Sequence, residues 1–217
     1  EKDRERVAKF FSQENVQNIY HHNGKRTIEF RTWKADKNRY EWVKFRIQFE
    51  RQSSNNELLM IAYSNDINDE KSRQLEYEYK AQRDGLTGLY NRQTFNQFVD
   101  DYLKDKKSVS DYCAYMIVDL DNFKSINDSL GHSTGDEVIQ KVATLLESIC
   151  FNSGYVGRFG GDEFVIFLYA QESYAEIENK AREIIRRIEG IKMDSIHDIT
   201  ASIGITFVTD EKHHRIL

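Results

Sequence analysis

The alternation of apolar and polar residues in the first 66 positions predicts a short helix followed by antiparallel strands. Val7, Phe10 and Phe11 recur at helical spacing near the start of the chain. Between positions 43 and 50, odd-numbered residues are apolar and even-numbered residues are polar, which is the period of a half-buried strand. A further strand is predicted over residues 58–63, where both faces are apolar.

Residues 67–83 are predicted to form one exposed helix, because they contain neither Gly nor Pro and are rich in Glu, Lys, Gln and Arg. The apolar stripe of this helix is weak and consists of Ile67, Leu75, Tyr79 and Gln82. Two interpretations remain open. The helix is either a solvated connector or one half of a parallel coiled coil that passes a signal to the next domain. A coiled coil needs several clean heptads, and this helix has at most two.

From residue 84 onward the pattern alternates between helix and strand. The mostly apolar run 112–119 predicts a central strand covered on both sides. Gly160 and Gly161 predict a tight hairpin between two strands. The predicted fold class is therefore α/β (α+β), a central antiparallel or mixed sheet flanked by helices in the order β-α-β-β-α-β. The other predicted elements are helices over 92–104, from Thr134 with a capping box closed by Glu137, and from Ser173 with Glu176, and strands over 155–158, 163–168 and 200–208.

Composition limits the partners of this chain. At 217 residues it is long enough for one domain and part of another. Apolar residues make up 39% and charged residues 31%, which is typical of a soluble globular protein. A formal net charge of −5 argues against a broad nucleic-acid-binding surface, so no nucleic-acid partner is expected. Any phosphate must therefore be held locally, by a metal ion or by a few placed groups.

The two cysteines, Cys113 and Cys150, have no metal-type spacing, and we interpret both as reduced, partly buried residues of an intracellular protein. No apolar run approaches the ~18 residues of a membrane helix. We therefore expect a cytoplasmic chain without direct membrane contact. Its first residue is Glu1 rather than methionine, so we expect a fragment whose full-length protein could be anchored upstream.

Two acidic points lie where predicted strands end. Asp119 and Asp121 follow the apolar strand, and Asp162 and Glu163 leave the hairpin turn directly after its glycines. If these strands are neighbours, carboxylates lie side by side, which is costly unless a cation neutralises them. Such oxygen ligands select Mg²⁺ or Mn²⁺, and Mg²⁺ is commonly held by one or two carboxylates plus substrate phosphates. An isolated Asp-x-Asp would indicate only a solvated loop, but the two points together indicate a nucleoside triphosphate site.

Gly160 and Gly161 allow a positive φ in the turn and a close approach of a ligand to the backbone. A Gly-Gly hairpin alone is ordinary, and here it becomes informative because acids follow it at once. The segment Gly160-Gly-Asp-Glu-Phe164 resembles the signature of the GGDEF family, the diguanylate cyclases. The resemblance extends to residues 84–92 (DGLTGLYNR), 119–128 (DLDNFKSIND), 131–136 (GHSTGD) and 201–204 (ASIG). It implies a nucleotidyl-cyclase-like palm fold.

The resemblance also implies a role for each matching acid. Asp119, the carbonyl of Leu120 and Asp162 would hold Mg²⁺ or Mn²⁺, with two ions in each active half-site. Asp162 and Glu163 would be the catalytic residues, and Glu163 would help to remove the attacking proton. The implied reaction is attack of the 3′-hydroxyl of one GTP on the α-phosphorus of another, repeated with roles reversed, to give cyclic di-GMP. Since one protomer of the family binds one GTP, catalysis requires a two-fold homodimer.

By the same resemblance, Lys124 and the backbone near Phe123 would contact the phosphates, with Gly160 and Gly161 also lining the substrate site. Asn127 and Asp136 would read the base, with His132 beside them. Guanine presents two donors, N1–H and the N2 amino group, which suit the carboxylate of Asp136, whereas adenine would present an acceptor there. Simpler roles exist as well, because Asp136 also suits the dipole of its helix and a loop histidine such as His132 is more often structural.

Two departures from the family pattern matter. Many members carry Arg-x-x-Asp as a product-inhibition site, but those positions here are Phe151 and Gly154, so no feedback through that site is expected. The family also continues past its last strand into a helix with a phosphate-binding Lys and Arg. Residues 209–217 contain no such motif, so we expect weaker triphosphate binding.

Residues 1–66 resemble the C-terminal half of a PAS sensor domain. The likeness lies in residues 3–6 (DRER), 40–43 (YEWV) and 64–68 (SNDIN). The predicted organisation is thus a PAS-like C-terminal part at 1–66, a signalling helix at 67–83 and a GGDEF domain at 84–217, whose end is either truncated or unusual. A complete PAS domain needs a comparable length upstream, including much of its ligand pocket.

Three functions compete. The first is a sensor-regulated diguanylate cyclase, and the second is a catalytically silent module that binds GTP or cyclic di-GMP and signals through a partner. Degenerate family members usually lose the motif acids, whereas Asp119, Asp162 and Glu163 are all present, which favours the cyclase. The third, a structural PAS dimerisation module, would leave residues 84–208 unexplained.

Overall fold

The structure is a computed structural model that describes residues 2–21, 25–51, 57–105, 112–193 and 199–208. The chain divides into two compact units, Glu1–Glu78 and Tyr79–Leu217. The first contains α1 (Lys2–Phe10), α2 (Gln13–His21), β1 (Lys25–Lys34), β2 (Arg39–Arg51) and β3 (Leu58–Asp66), and α3 (Asn68–Gln82) begins there and ends in the second. No helix in the described ranges is long and apolar enough to cross a lipid bilayer.

In the first unit, β1, β2 and β3 form an antiparallel sheet with β2 in the middle. The alternation predicted along β2 is confirmed, because Phe45 contacts the rings of Phe10 and Phe11, and Phe49 contacts Tyr20. Two short helices supply these contacts where the sequence predicted one, since α1 ends at Phe10 and α2 begins only at Gln13.

The third strand is present and extends further than predicted, to Asp66. Its side chains from Leu59 to Asp66 are all exposed. Among them, Leu59 is 47% exposed and Met60 is 56% exposed, although both are apolar. The sheet of the first unit therefore leaves a large share of its apolar residues outside its core.

One carboxylate is buried in this unit. Glu41 on β2 is 2% exposed, and its Oε1 accepts hydrogen bonds from Lys37 Nζ at 2.9 Å and Arg39 Nη2 at 2.9 Å. The hydrogen bonds from Lys37 and Arg39 lower the pKa of Glu41, although burial acts in the opposite direction. Glu41 is thus a buried acid whose charge is balanced by neighbours on the same hairpin.

The predicted connector is present as α3, and none of its residues is buried. Leu75 and Tyr79 of the predicted stripe are 62% and 58% exposed, whereas Ile67, just before the helix, is buried. Asn68 fixes the start of α3, because its Oδ1 accepts a hydrogen bond from the main-chain N–H of Trp42 at 2.8 Å. The choice between a connector and a coiled coil stays a prediction.

The second unit contains one mixed sheet flanked by helices, so its fold is α+β as predicted. Its elements are β4 (Tyr90–Asn91), α4 (Arg92–Asp105), β5 (Tyr112–Leu120), α5 (Phe123–Leu130), α6 (His132–Cys150), β6 (Gly154–Gly160), β7 (Glu163–Gln171), α7 (Tyr174–Glu189) and β8 (Ala201–Val208). The strand order in the described residues is β4-β6-β7-β5-β8, with β4 parallel to β6 and the other pairs antiparallel. From β5 to β8 the chain follows the predicted β-α-β-β-α-β order, except that two helices, α5 and α6, stand where one was predicted.

Side chains of β5 and β7 alternate between two apolar cores. Met116 and Ile166 belong to the core formed with α6 and α7, whereas Tyr115 and Phe167 pack with Phe95 of α4. The middle of these strands is therefore covered on both faces, as their apolar sequence predicted. Cys113 and Cys150 are both buried, one in each core, more completely than the partial burial predicted for them.

Two helix starts differ from the prediction. The helix expected from Thr134 begins at His132 with Gly131 as its N-cap, and the Thr134 hydroxyl donates to the carbonyl of Leu130 at 3.0 Å, so the predicted capping box is wrong. The short helix α5 was not predicted. Its N-cap residue, Asn122, has φ 55°, and the Asn122 side chain makes no cap hydrogen bond. The cap at Ser173 is confirmed, because its hydroxyl accepts from the N–H of Glu176 at 3.2 Å.

Candidate active site

The two acidic points predicted from the sequence lie on neighbouring strands. β5 pairs antiparallel with β7, so the end of β5 meets the start of β7 and Asp119 is directly opposite Glu163. Asp162 precedes Glu163 in the turn between β6 and β7. Asp119 is exposed, while Asp162 and Glu163 are half-buried. The fold therefore brings these three acids to one edge of the sheet, although 42 positions separate Asp119 from Asp162 in the sequence.

Asp119 lies near other negatively charged side chains. Burial raises the pKa of Asp119, and the negative charges of Asp162 and Asp121 raise it further. A divalent cation between Asp119 and Asp162 would remove this repulsion, so the residues fit a hard metal ion. No three side chains of His, Cys, Asp or Glu form a metal-binding group within the described residues. A bound ion would therefore need main-chain or substrate oxygens as well, such as the predicted carbonyl of Leu120.

Asp121 is hydrogen-bonded to residues at the start of β8. Its carboxylate accepts hydrogen bonds from the hydroxyls of Thr200 and Ser202, both at 2.8 Å, and its N–H donates to the Thr200 carbonyl at 2.9 Å. Asp121 thus fastens the loop after β5 to the start of β8. This role was not predicted, since only the fold brings residues 121 and 200–202 together.

The turn that carries Asp162 depends on its glycines. Gly160 has φ 142° and Gly161 has φ 54°, conformations that residues with a Cβ rarely adopt. Gly160 pairs with Glu163, so Gly161 and Asp162 form a two-residue hairpin loop. A glycine at the first position of such a loop is the residue that a type II′ turn requires. Both predicted glycines are exposed and leave the turn open to a ligand.

The predicted phosphate-binding residues lie directly after the β5 loop, at the start of α5. Leu120 and Phe123 are buried in the core, so only their backbone groups are available to a ligand. Lys124 is exposed and free of a described ion pair. The helix begins at Phe123, so its first main-chain N–H groups lie beside the loop that follows Asp119, and such groups bind anions.

The predicted base-reading residues meet where α5 packs on α6. A Cβ at Gly135 would lie 1.9 Å from Asn127 Oδ1, which shows that the Asn127 amide rests on the backbone of α6 at this glycine. Asp136 is the next residue and is exposed. His132, the first residue of α6, is also exposed. The structure thus places the Asn127 amide against Gly135, the residue before Asp136, and no role was predicted for this glycine.

Arg158 is a further residue that was missed. Its Nε and Nη2 donate to the Gly161 carbonyl at 3.0 and 2.7 Å, and its Nη1 donates to Asp84 Oδ1 at 3.0 Å. This guanidinium therefore connects the Gly161–Asp162 turn with the segment that opens the second unit. The Gly161 acceptor is a main-chain carbonyl, and Asp84 is far from Arg158 in the sequence. Hydrophobic periodicity therefore gave no signal for these contacts.

The sequence of residues 81–217 matches the protein family described as "Diguanylate cyclase, GGDEF domain". This match covers more than half of the chain. The chain belongs to the GGDEF diguanylate cyclase family.

Named relatives of this GGDEF chain include cyclases and a phosphodiesterase. The probable diguanylate cyclase DgcE of Escherichia coli K12 is 32% identical over 150 residues, which are 68% of this chain and 14% of the relative. Diguanylate cyclase DgcM of the same strain is 32% identical over 148 residues, 68% of this chain and 36% of the relative. The cyclic di-GMP phosphodiesterase NbdA of Pseudomonas aeruginosa is 34% identical over 132 residues, 60% of this chain and 17% of the relative. This chain therefore spans well under half the length of these proteins.

Solved GGDEF structures share the fold. The coiled coil and GGDEF domain of DgcB from Caulobacter crescentus, in complex with c-di-GMP, matches with a TM-score of 0.60 and 25% identity over 66% of this chain and 78% of that chain. The GGDEF domain of the same protein gives a TM-score of 0.54 and 28% identity over 59% of this chain and 78% of that chain.

The structure describes only one of the two expected departures from the GGDEF pattern, the one at Phe151 and Gly154. Phe151 is 73% exposed, and a Cβ at Gly154 would lie 2.7 Å from the Phe167 carbonyl, so an aspartate would not fit there without a backbone shift. The other departure concerns residues 209–217, which lie outside the described residues.

Proposed function

We propose that this chain condenses two GTP molecules into cyclic di-GMP and pyrophosphate as a diguanylate cyclase. The observation that carries the proposal is the meeting of Asp119 with Asp162 and Glu163 at one sheet edge of a GGDEF chain. A cluster in which the charge of Asp162 raises the pKa of Asp119 is poorly suited to a structural role. It is well suited to a cation-bound triphosphate.

Asp119, the Leu120 carbonyl and Asp162 would hold Mg²⁺ or Mn²⁺, two ions in each half-site. When bound, the metal would offset phosphate charge and lower the pKa of the attacking 3′-hydroxyl. Glu163, opposite Asp119 in the strand register, is proposed to support this pair and to accept the hydroxyl proton. In the metal-free protein, burial and the charge of Asp162 raise the pKa of Asp119, and a bound cation would counter this effect.

GTP is proposed to lie between the β5 loop and the α5–α6 contact. Lys124 and the N-terminal amides of α5 would bind its phosphates. Asn127 and Asp136 would accept and orient the guanine edge, and His132 would lie beside them. Because guanine alone presents two adjacent donors to Asp136, this carboxylate would reject adenine.

One chain offers one such nucleotide site, whereas the reaction joins two nucleotides. A two-fold homodimer that places two sites face to face is therefore required. We propose that residues 1–66 are the C-terminal part of a PAS-like sensor that regulates this encounter through α3 in the cytoplasm. Its support is the pair of helices packed on one face of an antiparallel sheet, followed by a helix that begins where β3 ends.

The test is incubation of the purified protein with GTP and Mg²⁺, followed by detection of cyclic di-GMP. Asp119→Asn and Asp162→Asn should each lower the rate at least about 100-fold, because each removes a charge that positions the cation. Asp101→Asn is the matched control, since Asp101 is an exposed acid on α4 that pairs only weakly with Lys104. Wild-type rates in both folded site variants would contradict the metal assignment.

The same assay separates the silent binding module from the cyclase. That module would bind a non-hydrolysable GTP analogue, yet the wild-type protein would release no cyclic product. Added cyclic di-GMP should leave the initial rate unchanged through the usual feedback site, because Phe151 and Gly154 cannot supply its Arg and Asp. Inhibition that disappears on substitution of Phe151 would contradict this expectation.

A further inference from the structure

We propose that Arg158 is a positioning residue for the cyclase reaction, which holds the Gly161–Asp162 turn in its productive place by tying it to Asp84. This inference rests on the proposed function, because it assigns Arg158 a task through Asp162. The contact itself is independent of that function. It consists of three hydrogen bonds from one guanidinium to two different segments.

The turn needs an anchor from outside. Gly161 has no side chain, and an added Cβ would meet nothing within 4 Å, so packing does not restrain this residue. Two consecutive glycines also give the loop unusual conformational freedom. Two N–H groups of Arg158 donate to the single carbonyl of Gly161, at 3.0 and 2.7 Å. Because Asp162 follows Gly161 directly, fixing this carbonyl restricts where the Asp162 carboxylate can lie.

Arg158 is itself held firmly. Its side chain is 13% exposed, and its Nη1 donates to Asp84 Oδ1 at 3.0 Å. The same oxygen accepts from the N–H and the hydroxyl of Thr87, at 2.9 and 2.6 Å. Burial alone would raise the pKa of Asp84, but hydrogen bonds from Thr87 and Arg158 and the Arg158 charge lower it overall. Asp84 therefore stays ionised and keeps the guanidinium in one orientation.

Asp84 belongs to a rigid turn at the exit of α3. Its N–H donates to the Leu89 carbonyl at 2.8 Å, and its carbonyl accepts from the N–H of Gly88 at 2.9 Å. The Arg158 side chain thus connects the turn carrying Asp162 with the first residues after α3, in addition to the main-chain pairing of β4 with β6. A lysine at position 158 could not reproduce this, since one ammonium lacks the planar fork that reaches a carbonyl and a carboxylate together.

The first test measures backbone order without nucleotide, by NMR relaxation of the amides of Gly161 and Asp162. The wild-type order parameters should be near 0.85, and Arg158→Lys should lower them below about 0.6, the range of flexible backbone. Asp84→Asn should lower them in the same direction. The control is Arg182→Lys on α7, where the exposed arginine makes only a 3.8 Å pair with Glu178.

The second test separates positioning from a merely structural role. With the folded fraction matched by near-ultraviolet circular dichroism, Arg158→Lys should lower kcat about 10- to 100-fold, as expected for a misplaced catalytic group. KM for GTP should change less than kcat, because the proposed base contacts lie on α5 and α6. If Arg158→Ala fails to fold, Arg158→Lys and Asp84→Asn still decide the question.

The outcomes are distinct. An ordered turn in Arg158→Lys would overturn the proposal, and so would a disordered turn with unchanged kcat. A wild-type protein without cyclase activity would instead refute the proposed function. In that case the order parameters would still show whether Arg158 anchors the turn.

Discussion

The two sheets of this chain each carry an acid whose surroundings shift its pKa, and the shifts have opposite signs. In the first unit, hydrogen bonds from Lys37 and Arg39 lower the pKa of Glu41. In the second, burial and the charges of Asp162 and Asp121 raise the pKa of Asp119. Glu41 is 2% exposed and paired, yet the carboxylate of Asp119, at the exposed end of β5, makes no hydrogen bond or ion pair with any other described residue.

This difference distinguishes a structural acid from one kept for a ligand. A buried carboxylate is tolerated when cations on its own hairpin balance it, as at Glu41. Acids placed side by side without a cation cost stability, and a fold retains such an arrangement where a ligand supplies the opposite charge. The two sheets also differ in packing. β5 and β7, which carry the acids of the site, are covered on both faces, whereas the described side chains of β3 are exposed.

The largest expected effect tests this contrast in packing. Leu168→Ala on β7 removes a fully buried side chain and should lower the free energy of unfolding of the second unit by about 2–5 kcal/mol. Leu59→Ala on β3 is the matched control, and because Leu59 is 47% exposed the change should stay within about 0.5 kcal/mol. Denaturant titration measures both. Equal losses would mean that the two sheets are packed alike.

A smaller effect separates recognition from stability within the second unit. Gly135→Ala would place a methyl group 1.9 Å from Asn127 Oδ1, so the Asn127 amide must turn away from its position against α6. Affinity for a non-hydrolysable GTP analogue should fall about tenfold or more, the value of a lost hydrogen bond in a polar site.

The stability of Gly135→Ala should change little, because the helix propensity gained by alanine offsets the displaced side chain. Gly190→Ala, at the end of α7, is the control, since its Cβ would make only ordinary contacts at 3.5 Å. Unchanged analogue binding in Gly135→Ala would remove Asn127 from the base site.

The smallest effects concern the two acids, and their signs are opposite. The lowered pKa of Glu41 means that its stabilisation is present above the ordinary glutamate pKa and is lost as pH falls from that value through the lowered one. The raised pKa of Asp119 means that stability falls as pH rises from the ordinary aspartate pKa through the raised one. Thermal unfolding of metal-free protein across this range tests both.

At neutral pH, Asp119→Asn should therefore stabilise the metal-free protein, by about 0.2–1 kcal/mol, the size of interactions between exposed charges. Glu41→Gln should destabilise it. The Asp119→Asn difference should shrink below the ordinary aspartate pKa, and the Glu41→Gln difference below the lowered pKa of Glu41, because each carboxylate is then protonated in folded and unfolded chains alike. A destabilised Asp119→Asn protein at neutral pH would mean that Asp119 has an unrecognised cationic partner.

The sequence predicted the elements whose signals are local. Apolar alternation on β2, the buried run of β5, the glycine hairpin at 160–161 and the Ser173 cap are all present. The α5 helix was missed because its N-cap, Asn122, adopts a left-handed conformation and makes no side-chain cap bond. The capping box at Thr134 was wrong because the Thr134 hydroxyl bonds to Leu130 in the preceding helix.

The candidate site likewise contains residues that the sequence indicated and residues that only the fold reveals. Residue types and spacing indicated four acids at strand ends, Asp119, Asp121, Asp162 and Glu163, and only the family resemblance selected Asp119, Asp162 and Glu163 among them. The supports of these acids were not predicted. Arg158 acts on a main-chain carbonyl, Asp121 on hydroxyls about 80 residues away, and Gly135 through the absence of a side chain. Such contacts exist only after the strands are aligned.

The central claim is that Asp119 and Asp162 share one cation site, and binding of Mn²⁺ in the presence of a non-hydrolysable GTP analogue tests it most directly. Electron paramagnetic resonance reports free Mn²⁺ during the titration. Asp119→Asn and Asp162→Asn should each weaken Mn²⁺ binding about tenfold or more, while Glu41→Gln should leave it unchanged. Wild-type Mn²⁺ affinity in both of the first two proteins would contradict the account.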